Sequence, residues 1–200
     1  MRKILLIVLL FPVFCKCQSF TLTPYGLRDS ADTSKGYIII DLPNKSAKQI
    51  YDATINYINE TYENPGFVIK GKIDSEYVRF DGYKDDISSA ILRAPLGKAK
   101  LNIESDYSIE IRMKENKIKY QVISNHMKME SANVWTNGVN TSYGDLHIVQ
   151  QGSNWRGWDK IFIYDKKLKL KDEDLKSDIE KYFNDQVTAL VKYISNNDKW

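Results

Sequence analysis

The sequence predicts an α+β domain, and three observations carry that reading. Two stretches, one early and one at the end of the chain, repeat apolar residues at three- and four-residue steps. Between them the period shortens to two, most cleanly over 107–113 and again at Ile118, Tyr120 and Val122. Apolar residues at 42% and charged residues at 28% supply enough core to exclude a disordered chain, and too many charges for a multi-span membrane protein. A mostly antiparallel sheet covered by two helices would bury both helical stripes against one face of the sheet.

Residues 1–17 read as a secretory signal peptide. Met1-Arg2-Lys3 gives a positive start, and 4–14 is apolar apart from Pro12. That run is shorter than the roughly 20 residues a membrane-spanning helix needs. Cys15 and Cys17 supply the small side chains that cleavage requires one and three positions before a cut at Gln18. The rival reading is a lipoprotein acylated at Cys15 or Cys17. Pro12-Val13-Phe14 and Phe14-Cys15-Lys16 both fit a lipobox poorly, so simple cleavage is the better reading. The expected product is an exported chain, periplasmic or secreted, in which 18–200 form a single domain with no membrane span and no thiol. Arg2, Lys3 and Lys16 leave with the signal, so the +3 net charge falls to zero. A neutral chain lacks the electrostatic attraction on which nucleic-acid binders rely, and no nucleic-acid partner is expected.

The elements follow in order. Residues 19–36 mix a short alternation at Phe20 and Leu22 with Pro24, Gly26 and Gly36, and read as a lead-in strand and loop. Tyr37-Ile38-Ile39-Ile40 is β-branched and bounded by Gly36 and Pro43, a buried strand. Ser46-Ala47-Lys48-Gln49 fits a capping box. Behind it Ala47, Ile50, Tyr51, Thr54, Ile58 and Tyr62 mark one face of a helix that ends before Asn64-Pro65. Residues 67–73 and 77–83 read as strands turned around Asp74-Ser75, whereas 87–103 fits helix at its start and strand at its end. The alternations on either side of Glu115-Asn116 predict a hairpin with one wet face. An extra β/loop insertion over about 131–165 contains strand candidates at 146–149 and 161–164. Lys166 to Lys171 alternates Lys and Leu like a guarded edge strand. Asp172, Glu173 and Asp174 suit a helix N-terminus. Leu175, Ile179, Tyr182, Phe183, Val187, Leu190 and Ile194 then trace one stripe of a long closing helix.

Phe20 and Gly26 before a strand, then Ser46-Ala47, Ile50-Tyr51, Tyr62, Asn64-Pro65 and the hairpin over 107–122, together resemble a family of secreted bacterial domains of unknown function. The family is described as having a TATA-box-binding-protein-like fold. The resemblance covers about 20–126 and implies the order β-α-β4-α. Glu115-Asn116 stands where a glycine turn is expected, and 133–171 is not covered. The resemblance implies no catalytic residue, and a shared fold does not carry a site with it.

The search for chemistry finds no enzyme signature. His126 and His147 are not at a metal spacing, and no GxSxG elbow, Walker loop or GxGxxG occurs. Asp85-Asp86 reads as a hydrated turn. No catalytic residue, metal or cofactor is expected. The richest cluster is Trp135, Tyr143, Trp155, Arg156 and Trp158. Trp faces can stack on sugar rings while Arg bonds hydroxyls, although the favoured reading of the same rings is that they anchor the insertion onto the sheet. Asp29-Ser30-Ala31 matches a short O-glycan acceptor, with Ser30 as the attachment residue. The expected function is a non-catalytic exported domain that binds a glycan or peptide of the cell envelope. The alternative is a structural or accessory domain that docks on another envelope protein.

Overall fold

A hairpin opens the fold. Strands β1 (Phe20–Thr23) and β2 (Gly26–Asp29) pair antiparallel around Pro24 and Tyr25. Gly26 takes φ +94, which a side chain would strain, so the expected single lead-in strand is in fact a hairpin. The computed structural model describes residues 18–94, 97–132, 141–151 and 161–196. The expected signal peptide, with Cys15 and Cys17, lies outside the described residues.

Strand β3 (Ile38–Asp41) leads into α1 (Ala47–Thr61). The capping box forms as read: Gln49 N–H donates to Ser46 Oγ, and Ser46 N–H donates to Gln49 Oε1. A single turn, α2 (Pro65–Val68), then precedes β4 (Ile69–Ile73). The expected strand over 67–73 therefore starts late, because Pro65 at the head of the turn suits helix, and Phe67 is left 81% exposed.

Long strands β5 (Tyr77–Ala94), β6 (Gly97–Lys114) and β7 (Lys117–Ala132) form the sheet's centre. No helix forms in 87–94. Its helix-like spacing arises where the β5–β6 register shifts between Lys84 and Ser88, which buries the neighbours Ile87 and Ser88 together. Strand β8 (Thr141–Asp145) pairs with β7, whereas β9 (His147–Val149) and β10 (Phe162–Tyr164) form a separate parallel pair. The last helix is α3 (Glu173–Asn196). Residues 166–171 are not an edge strand: the Asp165 carboxylate accepts from the N–H groups of Lys167 and Lys169, and folds the segment into a turn with Leu168 at φ 60.

The main sheet runs β3-β7-β6-β5-β4, with β8 on the same side of β7 as β3. All its pairings are antiparallel, and the core order β-α-β4-α lies within it. The protein is thus α+β, mostly antiparallel, with strands β8, β9 and β10 between the four-stranded run and α3. Helices α1 and α3 touch each other and pack on the sheet. Ile50 and Ile58 of α1 and Ile179, Phe183 and Leu190 of α3 share one buried core with Val78, Phe80, Ile109, Ile111 and Ile118 of the sheet. Burying such side chains is worth about 1.5–3 kcal/mol each before chain entropy opposes it. Within this layer the Tyr107 ring lies over Gly82, where a Cβ would come within 2.3 Å of it. The Tyr107 hydroxyl is 2.7 Å from that of Tyr182, and burial pushes both phenols well above their ordinary range.

The β6–β7 hairpin tip is tied to the start of α1. Asn116, at φ 62, tolerates the left-handed turn that glycine was expected to make. Its side-chain oxygen accepts from Asn44 N–H at 2.8 Å, and Glu115 Oε1 accepts from Ala47 N–H at 3.1 Å. No acidic residue stands in the first turn of α1, so Glu115 brings a negative charge to that helix N-terminus from across the chain.

Candidate functional site

The site begins with a parity change in β7. Ile118 and Tyr120 point inward, and so do Met127 and Met129 further on. Even and odd positions exchange faces because a bulge between Ile109 and Ser108 of β6 sets an extra residue, Ile123, into β7. The strand bends there. On its outer edge β3 covers 117–120 and β8 covers 128–132, and among the described residues no strand pairs with 121–126 on that side. Where β8 ends, Leu146 N–H donates to Met127 O at 2.9 Å, which closes the upper margin of the gap.

A groove runs along this open stretch. Its two lobes, of about 410 and 290 Å³, share Asn125 and Ile148. The larger lobe is lined by His126 and Met127 of β7, Asp145 of β8, His147 of β9 and Gln151. The smaller is lined by Gln121, Val122, Ile123 and Ser124, facing Leu22, Tyr25, Leu27 and Arg28 of the β1–β2 hairpin. Tyr25, at the hairpin turn, is 72% exposed. His126 Nε2 lies 3.1 Å from Asp145 Oδ1, and both side chains are open to solvent. Arg28 donates to Tyr25 O at 3.1 Å, which orients the guanidinium along the hairpin.

The hairpin wall is held by α3. Asn184 Oδ1 accepts from Phe20 N–H at 2.7 Å and its amide donates back to Phe20 O at 3.0 Å, as a neighbouring strand would. Glu180 Oε1 accepts from Leu22 N–H at 2.6 Å and from Thr21 Oγ1 at 2.7 Å. Tyr164 Oη donates to Leu22 O at 2.5 Å. Burial raises the Glu180 carboxyl, but donors from Lys176, Thr21 and Leu22 outweigh it and hold the group below its usual range. The backbone of the wall is therefore fastened by side chains of α3 and β10, and the Phe20 ring also packs on Tyr120 of β7 with 6.0 Å between ring centroids.

The residues singled out in the sequence fall elsewhere. Trp135, Trp155, Arg156 and Trp158 lie outside the described residues. Tyr143 lies in β8, opposite Glu130 of β7. Ser30 is exposed just beyond β2; its hydroxyl lies 2.9 Å from that of Ser19, and Asp29 accepts from Ala31 N–H in a tight turn. The histidines, set aside for their spacing, are brought to one lobe by the β7–β8 pairing. Among the described residues no group of three or more His, Cys, Asp or Glu could hold a metal ion. Asp85 and Asp86 are both exposed, and Lys84 holds the Asp85 carboxyl below its usual range. The groove itself was missed. Its one signal was the broken alternation after Val122, which resumes at Met127 on the other parity.

No family model matches the sequence, and no curated protein does. Two solved structures are similar to it. A DUF4468 family protein from Bacteroides ovatus matches 80% of this chain and 84% of its own, at 14% identity and a TM-score of 0.49. A TBP-like protein from Parabacteroides distasonis matches 80% of this chain and 91% of its own, at 11% identity and a TM-score of 0.46. Both are bacterial, and the resemblance read over 20–126 is to the same kind of protein. Among the described residues no helix is long and apolar enough to cross a membrane.

Proposed function

We propose that this is an exported, non-catalytic domain that binds a glycan or a peptide of the cell envelope in the groove along β7. The observation that carries the reading is a concave strip at a sheet edge that no strand among the described residues pairs with, lined by the polar groups of Arg28, Gln121, Ser124, His126, Asp145 and His147 beside the exposed Tyr25 ring. Its lobes are close to the size of small-ligand sites. Mixed donors and acceptors with one open aromatic face suit hydroxyl- and amide-rich ligands better than apolar ones. The reading of 1–17 as a signal peptide supplies the compartment. In sequence, Trp135 and Tyr143 precede Asp145 and His147, and Trp155, Arg156 and Trp158 follow Gln151, so we keep this cluster as a further set of ligand contacts. We also keep Ser30 as an O-glycan attachment residue, checked by a hexose-bearing peptide spanning it in protein from the native cell.

The test is retention of the exported chain on immobilised envelope glycans and peptides, with Tyr25→Ala and Gln121→Ala as variants. Binding in the groove predicts about tenfold weaker retention for each, equivalent to roughly 1.4 kcal/mol, at an unchanged melting temperature. Retention that ignores both substitutions, or no retention of any probe, would remove the reading.

A further inference from the structure

The groove lies along backbone as well as side chains, and that narrows what it takes. In β7 the stretches paired on both edges carry charges, at Lys117, Lys119, Lys128 and Glu130. The stretch between them, Gln121-Val122-Ile123-Ser124-Asn125-His126, which has no outer partner strand among the described residues, has no Lys, Arg, Asp, Glu or Pro. Natural edges that must not pair are guarded by those residues. Here the guards stand where partners already exist, and are missing where no strand among the described residues pairs with the edge.

Direction follows from the neighbours. β8 and β3 both run antiparallel to β7, so a strand filling the gap in the same sense would follow β8 and precede β3 along a single edge. Its N-terminal end would then lie at Asp145, opposite Lys128, and its C-terminal end near Ile38, opposite Tyr120. The charges match that polarity. Asp145 stands at the end that receives an amino terminus or basic side chain, and Arg28, beside Gly36 just before β3, stands towards the end that receives a carboxylate. Between them Ile123, 36% exposed, and the half-buried Val122 and Ile148 offer apolar surface to alternate side chains.

We infer that the groove captures an extended peptide of about five residues by strand addition to β7, basic at its N-terminal end, acidic at its C-terminal end and apolar at alternate positions between. The inference rests on the groove being the binding site, and selects peptide over glycan within that reading.

The experiment selects random hexapeptides displayed against the exported chain, then resynthesises the enriched sequences with N-methyl groups at alternate backbone positions. Strand addition predicts enrichment of Lys or Arg at the first positions and Asp or Glu at the last. Methylation in the phase that faces β7 should weaken binding at least about tenfold, and methylation in the other phase should do little. Arg28→Glu should turn the C-terminal preference to Lys or Arg while the melting temperature stays unchanged. No enrichment, enrichment blind to Arg28→Glu, or equal effects of both methylation phases would overturn the inference. Glycan retention that Tyr25→Ala weakens about tenfold, alongside a failed peptide selection, would leave the binding site standing and remove strand addition. Failure of both assays would remove both.

Discussion

Strand β7 passes through two environments within a few residues. Over 117–120 it is paired on both edges, by β3 and β6, with Ile118 and Tyr120 buried under the helices. Over 121–126 it keeps β6 but has no outer partner among the described residues, and its side chains line a groove. The first stretch also carries the hairpin tip that Asn116 and Glu115 fasten to α1. The second faces a wall that is fastened to α3 instead. The bulge at Ile123 separates the two by bending the strand and exchanging its faces. One strand can therefore serve the core and a binding edge, because the register shift stops the demands of one stretch from passing to the next.

Two isoleucines measure that contrast most directly. Ile118 is fully buried, whereas Ile123 is 36% exposed. Ile118→Ala should leave a cavity and cost about 2–5 kcal/mol of unfolding free energy. Ile123→Ala should stay within about 0.5 kcal/mol. Denaturant titration of the two variants settles the order; equal losses would mean that the groove stretch is as much core as the base.

The tip of the hairpin should give the next largest effect. Asn116→Ala puts a Cβ residue without a compensating side chain at φ 62, and removes the acceptor for Asn44 N–H. The expected loss is about 1–2 kcal/mol. Asn116→Gly should recover part of it, since glycine meets the turn but not the hydrogen bond. If Asn116→Gly is no better than Asn116→Ala in thermal melts, the fastening bond rather than the turn carries the residue's contribution.

How much of this was legible follows the same division. The buried parts were readable because burial leaves a period: the stripe from Leu175 to Ile194, the capping box at Ser46 and Gln49, and the alternation over 107–122 all form as read. The departures come where local hydrogen bonds or register override the period. Asp165 folds the Lys-Leu alternation into a turn, and the shift after Lys84 imitates a helix. The groove was hidden for a different reason. His126 and His147 are distant in sequence and approach only because β8 folds back on β7, and nothing in 121–126 marks an edge as unpaired until its neighbours are known. The absence of guarding charges there gains its meaning from the topology.

The smallest expected effect concerns the groove's far wall, and pH is the means of reaching it. Glu180, about one-fifth exposed, accepts from Leu22 N–H, Thr21 Oγ1 and Lys176 Nζ. Burial alone would raise its carboxyl, yet these donors leave it below the ordinary value of 4.5. A carboxylate depressed in the folded state contributes stability that is complete above the unfolded value and drains away as pH falls through the folded one. Acidification from neutrality to below 4.5 should therefore loosen β1 from α3 in the wild type. Glu180→Gln, which keeps an acceptor but cannot titrate, should start slightly less stable and lose less. Amide exchange locates the effect: the Leu22 N–H should lose protection on acidification in the wild type, while amides of 117–120 keep theirs. Equal loss at both places would mean that the hairpin and the body open together, and the groove would have no wall that moves independently of the sheet.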